Sequence, residues 1–98
     1  MNAQVILSNL REAEEELRSL ISRLEQQVEL PFESLHVSMA HLYHHLNTAW
    51  NARNASREQW VKQSDEDFSL WERFPDDLPL IGSDAFYDLP EYRDTNDA

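Results

Sequence analysis

Apolar residues recur at alternating intervals of four and three along the first part of the chain, a pattern typical of a long amphipathic helix. The stripe consists of Ile6, Leu10, Ala13, Leu17, Leu20 and Leu24, and an adjoining flank of Leu7, Ile21 and Val28. With Ile6 at heptad position d, the stripe occupies positions a and d and the flank position e. The opposite side carries Glu15, Ser22 and Glu29. We therefore predict a first helix over about residues 3–29, packed through its a, d and e side chains.

The same pattern restarts after Pro31 and predicts a second long helix. Its stripe is Leu35, Met39, Leu42, Leu46 and Ala49, flanked by His36, Tyr43 and Trp50. Proline lacks a backbone N–H and restricts the residue before it, so the connection should lie around residues 29–32. Two long helices joined this closely fold back on each other. The sequence thus predicts an all-α fold built on an antiparallel helical hairpin.

One or two short helices and an extended segment should follow the hairpin. Ser56 and Gln59 have the spacing of a capping box, and Asp65 resembles the N-cap of a further helix that must end before the next proline. The remaining prolines and the single glycine predict an extended, acidic C-terminal tail. We expect a single domain in which residues 1–64 hold the hairpin and the start of the third segment. Residues 65–98 should pack on it.

Both stripes are wider than two helices need for each other, so something else must cover the flank formed by Ile21, Val28, Tyr43 and Trp50. Two covers are conceivable: the C-terminal part of the chain, or a second hairpin that would complete a four-helix bundle in a dimer. We expect the chain's own aromatic side chains to cover it. These are Trp60, Phe68, Trp71 and Phe74. The remaining stripe would then pair with a protein partner or with a second copy, so that a homodimer is expected.

The amino-acid composition argues against several fold classes and kinds of functional site. One glycine and four prolines in 98 residues argue against an all-β fold, and the absence of cysteine excludes disulfides, thiolate nucleophiles and cysteine-based metal sites. The first residues lack the basic and long apolar regions of a signal peptide, and no apolar run approaches the roughly 18 residues of a membrane span. We therefore expect a cytoplasmic protein that does not bind membranes.

The net charge of −11 is concentrated in the second part of the chain. Residues 1–64 carry eight acidic against six basic residues, whereas residues 65–98 carry eleven against two. Phosphates would be repelled by this acidic segment, so direct nucleic-acid binding is not expected. An acidic surface can also imitate nucleic acid and inhibit a basic partner protein, and this mimic stays as an alternative function.

The histidines are the clearest candidates for chemistry. They are His36, His41, His44 and His45. His41 and His45 have the i, i+4 spacing that can chelate a metal from one helix face, and Glu33 and His36 have the Glu-x-x-His spacing of di-iron bundles. However, His41, His44 and His45 fall at heptad positions c, f and g, and Glu33 at b, all outside the predicted core. We therefore expect these histidines to face outward or towards the tail, with a metal-binding bundle as the alternative.

No nucleophile motif, glycine-rich phosphate loop or pair of carboxylates accompanies the histidines, so we expect neither catalysis, nor a cofactor, nor a small-molecule substrate.

The candidates for contact with another protein are more numerous than those for catalysis. Asn47, Asn51 and Asn54 should bond to the backbone of the tail, unless they form a polar recognition patch framed by Trp50 and Arg53. Tyr43 is a further interaction candidate. The tripeptide Asp-Leu-Pro occurs twice and is more often a turn than a docking motif, which leaves Asp77, Leu78, Asp88 and Leu89 as weaker candidates. A non-enzymatic helical protein–protein interaction or assembly protein is the predicted function.

Overall fold

Four helices make up the part of the chain that the computed structural model describes, residues 1–26 and 29–78. They are α1 (Ala3–Glu25), α2 (Phe32–Asn51), α3 (Arg57–Val61) and α4 (Asp65–Trp71). The two long helices pack against each other along their length. The prediction of an all-α fold built on two long packed helices is confirmed. None of the helices described is both long and apolar enough to cross a bilayer.

The hairpin is antiparallel, with the start of α1 beside the end of α2. The backbone N–H of Asn2 donates to the carbonyl of Arg53 (2.6 Å), and the Asn2 side chain donates to the carbonyl of Ala55 (2.9 Å). The same side chain caps α1 by accepting hydrogen bonds from the N–H groups of Gln4 and Val5. One residue therefore begins the first helix and fastens it to the loop after the second.

Helix α1 ends at Glu25, four residues before its predicted end. Farther along the pair, Glu16 contacts His41, and this register places Glu25 opposite Phe32, the first residue of α2. A longer α1 would extend past its partner and gain no packing, which is what sustains most helices in water. The predicted end was wrong because the heptad pattern does not show where the facing helix begins.

Small and polar side chains fill the seam between α1 and α2. The buried residues are Val5, Asn9, Ala13 and Leu20 of α1, and Ser38, Thr48 and Ala49 of α2. Small side chains allow close approach of the helices. Because the buried amide of Asn9 is hydrogen-bonded to the Val5 carbonyl (2.9 Å), its burial does not leave a polar group unsatisfied.

The seam is rotated away from the predicted stripe. Heptad position a faces water on α1, where Leu10, Leu17 and Leu24 are 43%, 45% and 58% exposed. The prediction that a, d and e residues pack inward is therefore wrong for a and e. The buried residues lie at three heptad positions instead: Ala13, Leu20 and Ala49 at d, Asn9 and Ser38 at g, and Val5 and Thr48 at c. Small side chains at this contact admit a closer approach than a row of leucines would.

Helices α3 and α4 begin with capping boxes. The box predicted at Ser56 and Gln59 is present at α3. At α4 the N-cap is Ser64, not Asp65, and the Ser64 hydroxyl accepts from the N–H of Asp67 (3.1 Å). The predicted cap was wrong by one residue because serine and aspartate are nearly equal N-caps in sequence.

The aromatic residues of α3 and α4 pack at the end of the hairpin, not on the predicted flank. Trp60 and Trp71 lie against the small buried cluster of Val5, Ala52 and Ala55. Away from this cluster, Ile21 of α1 and Tyr43 of α2 remain 46% and 49% exposed. The predicted aromatic cover is therefore wrong for these two residues, because the five-residue loop after α2 directs α3 to the near end of the hairpin. Val28 lies outside the described residues.

Candidate functional site

Both long helices carry aliphatic side chains that are not buried by the rest of the described chain, on a surface that we call the leucine face. By their helical spacing and exposure it comprises Leu10, Leu17, Ile21 and Leu24 of α1, and Leu35, Leu42 and Leu46 of α2. Two adjoining depressions lie on it. One is lined by Leu10, Ala13, Glu14, Leu17, Leu42 and Leu46, and the other by Met1, Ile6, Leu10, Leu46, Ala49, Trp50, Arg53 and Leu78. Because Leu10 and Leu46 line both, the apolar surface is continuous.

Few charged side chains line the two depressions of the leucine face within the described part of the chain. Glu14 and Arg53 are the charged residues among those that line the two depressions. The carboxylate of Glu14 is 3.5 Å from the guanidinium of Arg18, and Arg53 is 3.3 Å from the carboxylate of Asp77. Each marginal charge therefore has an opposite charge beside it, and the face itself is nearly neutral.

A row of amide and hydroxyl side chains on α2 holds the end of α4. Asn47 donates to the carbonyl of Glu72 (2.9 Å), and Asn51 donates to the carbonyls of Trp71 (2.9 Å) and Arg73 (2.6 Å). The last carbonyls of a helix have no partners within the helix, so these amides satisfy groups that would otherwise need water. The prediction that Asn47 and Asn51 bond to the backbone of the later segment is confirmed. Asn54 is exposed and does not join this row.

Four of the predicted interaction residues meet beside the leucine face. The indole Nε1 of Trp50 donates to Asp77 Oδ1 (2.8 Å), and Arg53 bonds the other oxygen while its guanidinium lies 4.2 Å from the Trp50 ring centre. The Trp50 hydrogen bond, followed by that of Arg53, lowers the pKa of Asp77. Leu78 follows directly and lines the depression with Trp50. Sequence reasoning identified these residues but not that they bind one another.

The other interaction candidates are not part of this cluster. Tyr43 lies two turns before Trp50 on α2 and is 49% exposed, and it lines neither depression of the leucine face. Asp88 and Leu89, in the second Asp-Leu-Pro, lie outside the described residues. The doubled motif stays a prediction, and within the described part Asp77 of the first copy binds the protein's own α2.

Three histidines form a second cluster on α2. The ring centres of His41 and His44 are each 4.7 Å from that of His45, and His44 lies 5.0 Å from the ring of Phe68. His44 thus faces α4, in the C-terminal part of the chain, which is one of the two orientations that the sequence predicted. His45 does not face outward or towards the tail: it is half-buried against α1, because position g belongs to the seam.

Glu16 and Asn9 of α1 bind this histidine cluster. His41 Nδ1 donates to Glu16 Oε2 (3.0 Å), and His45 Nδ1 donates to Asn9 Oδ1 (3.1 Å). The pKa of Glu16 is lowered chiefly by the His41 hydrogen bond and also by Ser38. The pKa of His45 is lowered by burial and then by the neighbouring His44 and His41. The sequence gave no signal for Glu16 or Asn9, since their roles depend on the register of the hairpin.

Glu33 and His36, the pair with the di-iron spacing, are both exposed in the first turns of α2, where His36 lies 6.1 Å from the ring of Phe32. Across residues 1–26 and 29–78 of one chain, no three or more histidine, cysteine or acidic side chains come together in a metal-binding arrangement. The carboxylate-bridged bundle, which would need two hairpins, stays a prediction.

Comparison with known proteins adds no family to this picture. No protein-family model matches the chain, and no curated protein or solved structure gives a significant match. The function must therefore be argued from the leucine face and the histidine cluster themselves.

Proposed function

We propose that this chain is a small, non-enzymatic helical interaction protein that assembles through its leucine face, and that a second copy of the chain is its partner. The observation that carries the proposal is the exposure of large aliphatic side chains on both helices along one continuous surface. Apolar surface in water costs about 25 cal/mol per Å². Contiguous apolar patches of more than a few hundred Å² usually mark interfaces.

The size of the leucine face suits a dimer. A helix is about 10 Å wide and rises 1.5 Å per residue, so two helices of about 20 residues present roughly 600 Å². A symmetric pair would then bury about 1,200 Å² in total, which exceeds the roughly 1,000 Å² expected of a specific interface. Two hairpins that share the same patch around a two-fold axis would form a four-helix bundle.

Charge favours a second copy over a strongly charged partner. The face is nearly neutral at its margins, because Glu14 lies beside Arg18 and Arg53 beside Asp77. Two copies could therefore approach without placing uncompensated charges against each other. The acidic residues beyond position 64 would repel at long range, and salt screens such repulsion. Association should consequently strengthen as ionic strength rises.

Light scattering coupled to size exclusion, over a range of protein concentrations, tests the proposal with one substitution and one control. Leu17→Asp places a charge in the middle of the leucine face at a half-exposed position, so it should abolish the dimer and leave the helices intact. Val61→Asp introduces the same charge at a 68% exposed site on α3, away from this face. It should leave the dimer unchanged.

The proposal fails if the wild-type protein has the mass of one chain at every concentration while circular dichroism shows it folded. It also fails if Leu17→Asp and Val61→Asp weaken association equally, since that result would indicate non-specific contact. A decrease in association with rising salt would favour a charged partner surface instead.

A further inference from the structure

The imidazole rings of His41 and His45 approach each other more closely than two neutral rings with fixed hydrogen bonds should. They are one helical turn apart on α2, and their Nε2 atoms are separated by 3.1 Å. At this distance one nitrogen must donate a proton to the other, or a cation must lie between them.

The Nδ1 atom of His45 donates a hydrogen bond to the side chain of Asn9. The Asn9 amide donates from Nδ2 to the Val5 carbonyl (2.9 Å), which fixes the orientation of the amide and leaves Oδ1 towards the ring. Oδ1 can only accept, so the hydrogen atom of the 3.1 Å contact belongs to His45 Nδ1. In the neutral ring the proton therefore resides on Nδ1, and Nε2 carries a lone pair.

The same reasoning holds for His41. Its Nδ1 lies 3.0 Å from Glu16 Oε2, and a carboxylate accepts but cannot donate. Hydrogen bonds from His41 and Ser38 lower the pKa of Glu16, which keeps it ionised near neutrality. When both rings are neutral, two Nε2 lone pairs thus lie 3.1 Å apart with no hydrogen atom between them. That contact is repulsive unless the two nitrogens share a proton or bind the same metal ion.

We propose that His41 and His45 bind one divalent zinc ion through their Nε2 atoms, with water completing its coordination. Zinc–nitrogen bonds of about 2.0–2.1 Å at a tetrahedral angle place two ligand nitrogens roughly 3.3 Å apart. The observed separation of 3.1 Å agrees with that value to within the tolerance expected of a metal site. Two histidines at i, i+4 are a common way for one helix to chelate a transition metal.

The surrounding groups have the arrangement that supports histidine ligands elsewhere. Ligand histidines usually donate their other N–H to a carboxylate or a carbonyl oxygen, which fixes the tautomer and orients the ring. Glu16 does this for His41, and Asn9 does it for His45. From α1, the negative charges of Glu12 and Glu16 also face His45, while His44 from α2 and Glu72 beside it complete the titratable neighbours.

Protons compete with zinc for this pair. Zinc would have to displace any proton that the two Nε2 atoms share. Because only two protein ligands are proposed, the affinity should be weaker than that of structural sites with three or four.

Calorimetric titration of the full chain with zinc chloride at neutral pH tests the site. The protein should be purified without a histidine tag and first freed of metal with a chelator. We expect one zinc ion per chain, at least tenfold weaker binding in His41→Gln and His45→Gln, and a smaller loss in Glu16→Gln. His36→Gln is the matched control, since this exposed histidine lies on the same helix and should keep wild-type binding.

Long-range proton–nitrogen NMR spectra of the wild-type rings provide a readout that does not depend on any variant folding. Zinc should shift the Nε2 resonances of His41 and His45 and leave their Nδ1 atoms protonated. The site is refuted if wild-type protein takes up no zinc, if zinc shifts the Nδ1 resonances instead, or if His36→Gln loses as much affinity as His45→Gln. None of these results depends on whether the leucine face forms a dimer.

Discussion

The two sides of α2 differ in what they contact. On one side Asn47, Thr48 and Asn51 hold the end of α4 by hydrogen bonds to backbone carbonyls. On the other side Leu42 and Leu46 line apolar depressions that the described residues leave open. The polar side is therefore used within the described part of the chain, and the apolar side is the surface that we propose a second copy buries.

This difference shows that the most apolar stripe of a helix need not be its internal contact. The seam with α1 uses small side chains and a buried amide whose hydrogen bonds are satisfied, so close approach replaces the burial of large groups. Leucines at position a are then free to face outward. A second copy of the chain could bury them without disturbing either internal contact.

The largest expected effect separates the seam from the leucine face. Leu20 is 5% exposed, whereas Leu17, three residues before it, is 45% exposed. Leu20→Asp would bury an unpaired carboxylate and should cost about 4 kcal/mol or more in the free energy of unfolding. Leu17→Asp should change the stability of the single chain by less than about 1 kcal/mol. Urea unfolding at low protein concentration measures both, and equal losses would show that the two leucines are not in different environments.

An intermediate effect is expected on the polar side of α2. Asn51→Ala removes the donor for the carbonyls of Trp71 and Arg73, which should cost about 1–2 kcal/mol. Loss of this contact should also loosen α4, so the fluorescence of Trp71 should shift before global unfolding. Asn54→Ala is the control, because Asn54 is an exposed asparagine in the same region. Identical behaviour of the two variants would mean that the amide row does not hold α4.

A smaller, pH-dependent effect should come from the seam. The pKa of His45 is lowered from 6.5, so the unfolded chain binds the proton more readily than the folded one. The stability that depends on neutral His45 is present above pH 6.5 and is lost as pH falls from there through the folded pKa. Below pH 4.5, protonation of Glu16, whose pKa is also lowered, should remove a further contribution.

Thermal unfolding in the presence of a chelator follows this pH dependence without interference from metal. His45→Gln should flatten the loss of stability just below pH 6.5, whereas the exposed His36→Gln should keep the wild-type profile. If His45→Gln retains the full wild-type slope in that range, burial of His45 is not the cause.

Local features of the fold were predictable from the sequence. The heptads indicated two long helices, Pro31 indicated their separation, and the spacing of Ser56 and Gln59 indicated the cap of α3. Each of these signals lies within a few residues and depends on backbone chemistry that tertiary structure rarely overrides. The amide groups of Asn47 and Asn51 were also identified, because unpaired backbone groups in an irregular segment need partners.

The rotation of the helices and the partners of the histidines were not predictable. Asn9 and Ser38 look like surface residues in sequence, since only the pairing of α1 with α2 buries them and brings His45 to the Asn9 side chain. Glu16 joins His41 across 25 positions of sequence, a contact that depends on the register of the hairpin. Rotation of each helix about its own axis would have paired different side chains and buried the leucine stripe.

We propose that the leucine face is an interface between two copies of the chain. The most direct test measures how fast a single introduced cysteine on this face reacts with a thiol reagent. The chain has no cysteine, so Leu46→Cys labels the part of the face where the two depressions meet, and Val37→Cys labels another side of α2, where Val37 is 68% exposed. The rate of modification by a small thiol reagent is measured under reducing pretreatment over a wide range of protein concentrations. We predict that the rate at Leu46→Cys falls as concentration rises while the rate at Val37→Cys stays constant. A rate at Leu46→Cys that does not change with concentration would contradict the assignment of this face as the dimer interface.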